Sequence, residues 1–364
     1  MIYPTNQLPG RKVIMTDGAE YLWFSGTDYL GMGHHQAYKE FLKQGFSRYG
    51  THFGSSRNNS LRLEIYEETE TLFAGYAGAP ASLLVSSGMW AGQLVLKEIE
   101  SIAGNSTADL AKERIRYHYA PGSHPAIWGN NFCSNNLAWQ QWASRTIQEI
   151  RENPDHIHIV CSDAVGSPWV AKHDFSLFSD LPRSQNIWFV VDDSHGIGVT
   201  GDNGKGIYSP LDKLQQNSIV VASLNKGMGI PAGVILAAQD ILDRLRQSPW
   251  FAGASPSVPA YIYAFRELLL ANAYQECYEK MITNIRYFAD ALTSSGLFVG
   301  IADYAVMCSR NISLFDYLLT NGIFASCFSY PLPTDEPVTR LAISALHEKE
   351  DLDRLAEVCI HFES

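Results

Sequence analysis

The sequence predicts an α/β protein in which a mostly parallel sheet is covered by helices on both faces. Short runs rich in β-branched residues alternate with longer amphipathic stretches through the middle of the chain. Most of those runs are apolar throughout, which is typical of strands that are buried on both faces. With 364 residues, of which 46% are hydrophobic, the chain is long enough to bury a sizeable core.

The elements follow from these two patterns in chain order. The apolar runs predict strands at residues 82–85, 114–119, 157–161, 187–191, 218–222 and 233–237. The amphipathic stretches predict helices at residues 61–76, 89–102, 137–152, 260–292 and 349–359. The segment 260–292 is longer than most globular helices, so we expect at least one break within it.

The pattern of predicted elements changes after about Trp250. From there a long helical segment is followed by a short α+β region that contains the run 339–345. We therefore predict three parts: an N-terminal segment at 1–45, a large domain at 46–248 and a smaller C-terminal domain at 249–364.

Composition excludes several classes of function. The net charge is -11 and no dense basic stretch is present, so nucleic-acid binding is not expected. No run of about 18 apolar residues occurs, and no basic-then-apolar leader is found, so we expect a soluble cytoplasmic protein without membrane contact. The six cysteines are far apart and form no Cys-x-x-Cys pair, which favours reduced thiols and no metal site.

The residues that carry chemistry follow two of the predicted strands. The run 187–191 delivers Asp192 and, three residues later, His195. The run 218–222 is followed by Ser223 and, three residues later, by Lys226. Since ligands of open α/β sheets bind at the carboxyl ends of the strands, we expect these side chains to face one site.

A lysine beside a buried carboxylate predicts pyridoxal phosphate. That cofactor needs an amine for its aldehyde, an acid at its pyridine nitrogen and donors for its phosphate. Lys226 would hold it as a Schiff base and Asp192 would pair with the ring nitrogen. The turn that ends at Gly88 and Met89 closes a strand and opens a helix, which presents free N–H groups to an anion.

Each of these motifs also has a plain structural interpretation. Asp192 could be a turn or helix cap, His195 a satisfied loop histidine and Lys226 a solvated charge. Their order and spacing together favour the functional interpretation. The match of residues 196–201 to Gly-x-Gly-x-x-Gly is interpreted as accidental, because the following residues predict an irregular loop and no helix.

With these residues in view, the chain resembles the α-oxoamine synthases, a family of fold-type-I pyridoxal-phosphate enzymes, over nearly its whole length. The matching segments are Thr27-Asp-Tyr-Leu-Gly31, Tyr49-Gly-Thr-His-Phe-Gly-Ser-Ser-Arg57, Ser86-Ser-Gly-Met-Trp-Ala91, Ser123-His-Pro-Ala126, Asp192-Asp-Ser-His-Gly196, Ser223-Leu-Asn-Lys226 and Thr339-Arg-Leu-Ala-Ile-Ser-Ala-Leu-His347. The resemblance implies a mostly parallel seven-stranded sheet sandwiched by helices in the large domain, which binds the cofactor, and a smaller C-terminal α+β domain.

The resemblance also implies roles for individual residues. The catalytic set would be Lys226, His124 stacked on the cofactor ring, Asp192 at the pyridine nitrogen and His195 at the phenolic oxygen. Further cofactor contacts would come from Gly88, Met89, Ser162, Ser223 and, across a homodimer interface, Ser255. The substrate carboxylate would be held by Arg340, and Thr27 replaces a family asparagine on the substrate side.

The implied reaction joins a small amino acid such as alanine to an acyl thioester of coenzyme A or a carrier protein. Loss of CO2 would then give an α-amino ketone, as in an 8-amino-7-oxononanoate synthase of biotin biosynthesis. The chain departs from the family at Thr27, at Met89 and Gly92, and at residues 58–61, all near the substrate and acyl-donor side. An aminotransferase therefore remains an alternative. A cofactor-binding regulatory protein is disfavoured because the base, the electron sink and the carboxylate grip are all present.

Overall fold

The computed structural model describes residues 2–104, 114–292, 296–329 and 334–363. Twelve strands occur in this described part, and they form two six-stranded sheets. The strands are β1 (Lys12–Ile14), β2 (Glu20–Phe24), β3 (Ala81–Val85), β4 (Ile115–Tyr119), β5 (Ile157–Asp163), β6 (Ile187–Asp192), β7 (Asn217–Ser223), β8 (Gly233–Ala237), β9 (Val299–Gly300), β10 (Val306–Ser309), β11 (Ile323–Phe328) and β12 (Val338–Ala342).

The helices of the described residues surround these sheets. They are α1 (Gln36–Tyr49), α2 (Ile65–Ala77), α3 (Gly88–Ala103), α4 (Trp139–Glu152), α5 (Tyr208–Asp212), α6 (Gln239–Gln247), α7 (Pro249–Ala252), α8 (Pro259–Leu270), α9 (Ala273–Ala291), α10 (Leu314–Thr320) and α11 (Lys349–Glu363). The expected break in the segment 260–292 falls at Asn272, which adopts a positive φ of 54° between α8 and α9.

The first sheet has the strand order β3-β8-β7-β6-β5-β4. Strands β4, β5, β6 and β7 run parallel to one another, while β8 is antiparallel to both β7 and β3. The α/β class and the mostly parallel sheet are thus confirmed, but the described residues give six strands where seven were expected. The chain between His124 and α4 contributes no strand, since residues 129–137 are mainly polar and small and run as turns and coil.

Apolar packing on both faces explains why the central strands could be predicted from the sequence. Along β6, Phe189 and Val191 join one buried cluster, whereas Trp188 and Val190 join a second cluster on the opposite face. The same alternation divides the side chains of β5, β7 and β8. Because successive side chains of a strand point to opposite faces, a strand between two helical layers has no polar face.

The second sheet has the order β1-β2-β11-β12-β10-β9 and joins the two ends of the chain. Strand β2 pairs in parallel with β11, which places Phe24 opposite Ala325. The N-terminal strands therefore belong to the same sheet as the C-terminal strands. The predicted division at residues 45 and 248 stays a prediction. Among the described residues, no helix is both long enough and apolar enough to span a bilayer.

Candidate active site

The carboxyl ends of β5, β6 and β7 place the predicted polar side chains at one edge of the first sheet. Asp163 and Asp192 are the last residues of β5 and β6 and lie opposite each other in the parallel pairing. Ser223 ends β7 and Lys226 follows in the next turn. This edge is the one where open α/β sheets bind ligands, and the structure brings Asp192, Ser223 and Lys226 together there.

A continuous hydrogen-bonded chain links Lys226 to Arg340. The Nζ atom of Lys226 lies 2.9 Å from Nε2 of His195, and Nδ1 of His195 lies 3.0 Å from the hydroxyl of Tyr29. That hydroxyl also accepts from Nη2 of Arg340 at 3.0 Å. With Lys226 as the donor, His195 carries its proton on Nδ1 and donates it to Tyr29. The tyrosine hydroxyl therefore accepts from both sides and fixes their separation.

The surroundings of Lys226 and His195 lower the pKa values of both groups. Burial lowers the pKa of Lys226, while the nearby carboxylates of Asp192 and Asp163 partly oppose that effect. Burial also lowers the pKa of His195 well below its usual range, and the positive charges of Lys226 and Arg340 act in the same direction. Lys226 is thus easier to deprotonate than an exposed lysine, as a base or an amine nucleophile must be.

Arg340 is a buried cation that lacks a carboxylate partner in the described part of the chain. Its residue surface is 6% exposed, and its guanidinium bonds to hydroxyls: Tyr29 at 3.0 Å and Ser167 at 3.5 Å. Neutral hydroxyls solvate a guanidinium without cancelling its charge. A buried charge is costly unless an opposite charge reaches it, so this side chain is suited to an anionic ligand.

Asp192 and His124 lie together beside Lys226. One oxygen of the buried Asp192 accepts from the backbone N–H of Ser194 at 2.9 Å, and the other is 3.6 Å from Nδ1 of His124. That nitrogen accepts the N–H of Ala126 at 3.1 Å, and burial lowers the pKa of His124. His124 is therefore neutral with its proton on Nε2, and the oxygen of Asp192 that faces it remains available to another donor.

Two further buried carboxylates adjoin Asp192. Asp163 accepts the backbone N–H of His124 at 3.0 Å, and burial together with Asp192 raises its pKa well above the usual range. Burial raises the pKa of Asp193 to about 8, although one of its oxygens accepts the N–H of Ile207 at 2.8 Å. Because three carboxyl groups are buried close together, protonation of Asp163 and Asp193 would limit the negative charge around Asp192.

The first turn of α3 supplies the second end of the site. Ser87 caps the helix by accepting the N–H of Trp90 at 3.1 Å. The N–H groups of Gly88 and Met89, which belong to the same first turn, have no acceptor among the described residues. A Cβ at Gly88 would lie 2.5 Å from the Cβ of Ser223. Only glycine permits this approach, which brings the positive end of the α3 dipole to the end of β7.

The remaining predicted residues lie in different surroundings. The hydroxyl of Ser162 is fully buried between the indole N–H of Trp139 at 3.0 Å and the carbonyl of Asp163 at 3.0 Å. Thr27 is half-buried in the loop after β2, two residues before Tyr29. Ser255 is exposed, and it lines a narrow gap that also includes Ser86 at the end of β3.

Sequence reasoning missed four contributors to the site. Tyr29, Asp163, Ser167 and Tyr304 contact the predicted residues directly, and Tyr304 donates to the carbonyl of His195 at 3.2 Å. Tyr29 stood inside the matching segment that begins at Thr27, and Asp163 and Ser167 stood in the loop after the predicted strand 157–161. Their positions in these segments could have identified Tyr29, Asp163 and Ser167 as candidates. Tyr304 had no such signal.

Pyridoxal phosphate fits this arrangement by chemistry and by shape. Lys226 offers an amine of lowered pKa to an aldehyde, and Asp192 offers an acceptor to a protonated ring nitrogen. The free N–H groups of Gly88 and Met89 can receive a phosphate, and His124 lies beside Asp192 where a ring would pass.

The sequence matches a family model and curated proteins over much of its length. Residues 146–358, more than half of the chain, match the model of the family described as aminotransferase class I and II. The 8-amino-7-oxononanoate synthase of Citrobacter koseri is 26% identical over 379 residues, which cover 98% of this chain and 93% of that protein.

Solved structures show the same fold. The serine palmitoyltransferase of Sphingomonas wittichii superposes with a TM-score of 0.80 at 16% identity, covering 98% of this chain and 90% of that one. The 8-amino-7-oxononanoate synthase of Francisella tularensis gives a TM-score of 0.70 at 19% identity, covering 94% of this chain and 98% of that one.

Proposed function

Because this chain belongs to the aminotransferase class I and II family, we propose that it is a pyridoxal-phosphate-dependent transferase of the α-oxoamine synthase type. Its substrates are a small amino acid such as alanine and an acyl thioester of coenzyme A or a carrier protein. The products are an α-amino ketone, CO2 and the free thiol. The 26% identity to a named synthase over nearly the full length supports this reaction.

The observation that carries the proposal is the pairing of Lys226 with Arg340 through His195 and Tyr29. An amino acid needs a cation for its carboxylate and a base for its α-proton. Arg340 supplies the first as a buried guanidinium without a carboxylate partner among the described residues. Lys226 supplies the second. The hydrogen-bonded chain fixes the distance between the two groups.

When bound, the cofactor withdraws electrons from the α-carbon of the amino acid, so that the proton and later CO2 can leave. Lys226, Asp192, Gly88 and Met89 would hold it at its aldehyde, ring nitrogen and phosphate. The carboxylate of Asp192 would keep the ring nitrogen protonated, and His124, 3.6 Å from that carboxylate, would contact the ring.

Lys226 moves the protons of the reaction. Its lowered pKa leaves a larger fraction of Nζ unprotonated, ready to take the α-proton. His195, itself neutral, accepts a hydrogen bond from the ammonium form at Nε2 and keeps it aimed at the site. Arg340 holds the carboxylate until it departs as CO2, after which the guanidinium is free for the next substrate.

We further propose a cytoplasmic homodimer. Exposed apolar side chains on and beside α3 support a partner surface: Met89 is 48% exposed, and Trp250, whose ring lies under Lys97 of α3, is 46% exposed. Ser255, also exposed, belongs to the segment expected to reach the partner's cofactor. Sedimentation of the purified protein at several concentrations tests the dimer.

The reaction is tested by supplying the cofactor-loaded enzyme with alanine and a series of acyl thioesters. We expect CO2 and free thiol to be released in equal amounts for at least one thioester. Pyruvate formed from alanine without either product would replace the synthase with the aminotransferase alternative.

A further inference from the structure

A cavity of about 600 Å³ lies behind the candidate active site. It is bounded by the loops that follow β5 and β6, by α9 and by residues 301–304 before β10. Neither Lys226 nor Arg340 is among its lining residues. Its volume falls within the range of about 300–1,000 Å³ that is typical of small-molecule sites. It is therefore a space separate from the one proposed for the cofactor.

The cavity touches the active site through two hydrogen bonds. The hydroxyl of Tyr304, in the cavity wall, donates to the carbonyl of His195 at 3.2 Å. Nδ1 of His173, also in the wall, donates to the carbonyl of Asp163 at 2.7 Å. A molecule in the cavity would thus contact Tyr304 and His173, whose side chains donate hydrogen bonds to the backbone carbonyls of His195 and Asp163.

Six large apolar or aromatic side chains form the apolar wall of the cavity: Phe175, Val199, Ile207, Leu214, Tyr278 and Ile301. Such a wall favours a flexible aliphatic chain, since burial of apolar surface contributes about 25 cal/mol per Å².

The charges around the cavity have an excess of available positive groups. Lys172 and Lys213 line it, and neither forms an ion pair with any residue that the structure describes. Two acids also line the cavity. Asp303 pairs with Arg286 at 2.7 Å, whereas Asp174 accepts only from neutral donors such as the N–H of Ser176 at 3.0 Å, which do not cancel its charge. Lys172, Lys213 and Arg286 thus exceed the two acids by one positive charge, which favours an anion in the cavity.

From these observations we propose that the cavity is a second binding site, which takes an aliphatic monocarboxylate with its chain along the apolar wall and its carboxylate at Lys172 and Lys213. The ligand is a free fatty acid.

Titration calorimetry of the cofactor-loaded enzyme with decanoate tests the proposal. We expect saturable binding that is at least about tenfold weaker in Leu214→Trp, which fills the apolar wall, and in Lys213→Glu, which reverses an exposed charge. Lys43→Glu on α1, far from the cavity and equally exposed, should bind as the wild type does. Decylamine should bind at least about tenfold more weakly than decanoate.

The Arg340→Leu variant separates the cavity from the active site. If decanoate occupies the cavity, this variant retains binding within about twofold. Loss of binding in Arg340→Leu, with Leu214→Trp and Lys213→Glu unaffected, would place the carboxylate in the active site and overturn the proposal. Absence of saturable binding to the wild type would overturn it as well.

Discussion

The Nζ atom of Lys226 lies 2.9 Å from Nε2 of His195, and the same imidazole is held on its other side by Tyr29. Lysine and histidine come from different strand ends, and the tyrosine comes from the loop after β2, at the start of the chain. The position of the proposed base is therefore fixed by contacts between distant segments.

Replacement of Arg340 by glutamine should weaken binding of the amino-acid substrate and leave the cofactor in place. A charge-assisted hydrogen bond contributes about 1.5–3 kcal/mol, so KM for alanine should rise about 10-fold to 100-fold. Steady-state kinetics and the visible spectrum measure the two effects. Arg354→Gln on α11, which removes an exposed arginine paired with Glu357, is the matched control. An unchanged KM in Arg340→Gln would contradict the assignment of the carboxylate grip.

Asp193 makes the stability of the protein fall as pH rises. Burial raises the pKa of its carboxyl to about 8 in the folded protein, so the folded state binds more protons than the unfolded state between about pH 4 and pH 8. The stabilisation is complete below that interval and is lost as pH rises through the folded pKa. We expect Asp193→Asn to flatten this decline, which is of the order of a few kcal/mol, in urea unfolding of the cofactor-free protein.

Asp202→Asn, an exposed change in the adjoining loop, controls for that measurement. A decline between pH 4 and pH 8 that is the same in Asp193→Asn and in the wild type would show that Asp193 is not its source.

Addition of a methyl group at Gly88 should disturb the proposed phosphate end of the site. The new Cβ would lie 2.5 Å from the Cβ of Ser223, so α3 or β7 must shift, at a cost of about 1–3 kcal/mol. We expect weaker uptake of pyridoxal phosphate and a lower free energy of unfolding. Gly75→Ala is the matched control, because nothing lies within 4 Å of its added Cβ and α2 should gain about 0.5–1 kcal/mol. Equal cofactor affinity in both variants would remove Gly88 from the site.

The sequence was most informative where a strand is buried on both faces. The strands from β3 to β8 were predicted within two residues at either end, because runs such as Ile187–Val191 are uniformly apolar. The residues that end these strands, Asp192 among them, therefore fell in their correct places. The position of these residues directly after an apolar run was sufficient to predict where they lie in the fold.

Features set by distant pairing could not be predicted in that way. Strand β2 has three half-buried residues and pairs with β11, which is about 300 residues away, so its alternation was too weak to mark it. Tyr29 follows β2 and reaches Arg340 only because of that pairing. Ser162 has its hydroxyl between Trp139 and Asp163, a contact that depends on how α4 packs on β5.

The central claim is that Lys226 holds pyridoxal phosphate, and visible absorption of the purified protein after incubation with the cofactor tests it most directly. We expect the wild type and Lys205→Ala, an exposed lysine in the loop before α5, to be yellow, and Lys226→Ala to lack that absorption. A wild-type protein that neither copurifies with pyridoxal phosphate nor takes it up, or a Lys226→Ala variant with the wild-type spectrum, would contradict the claim.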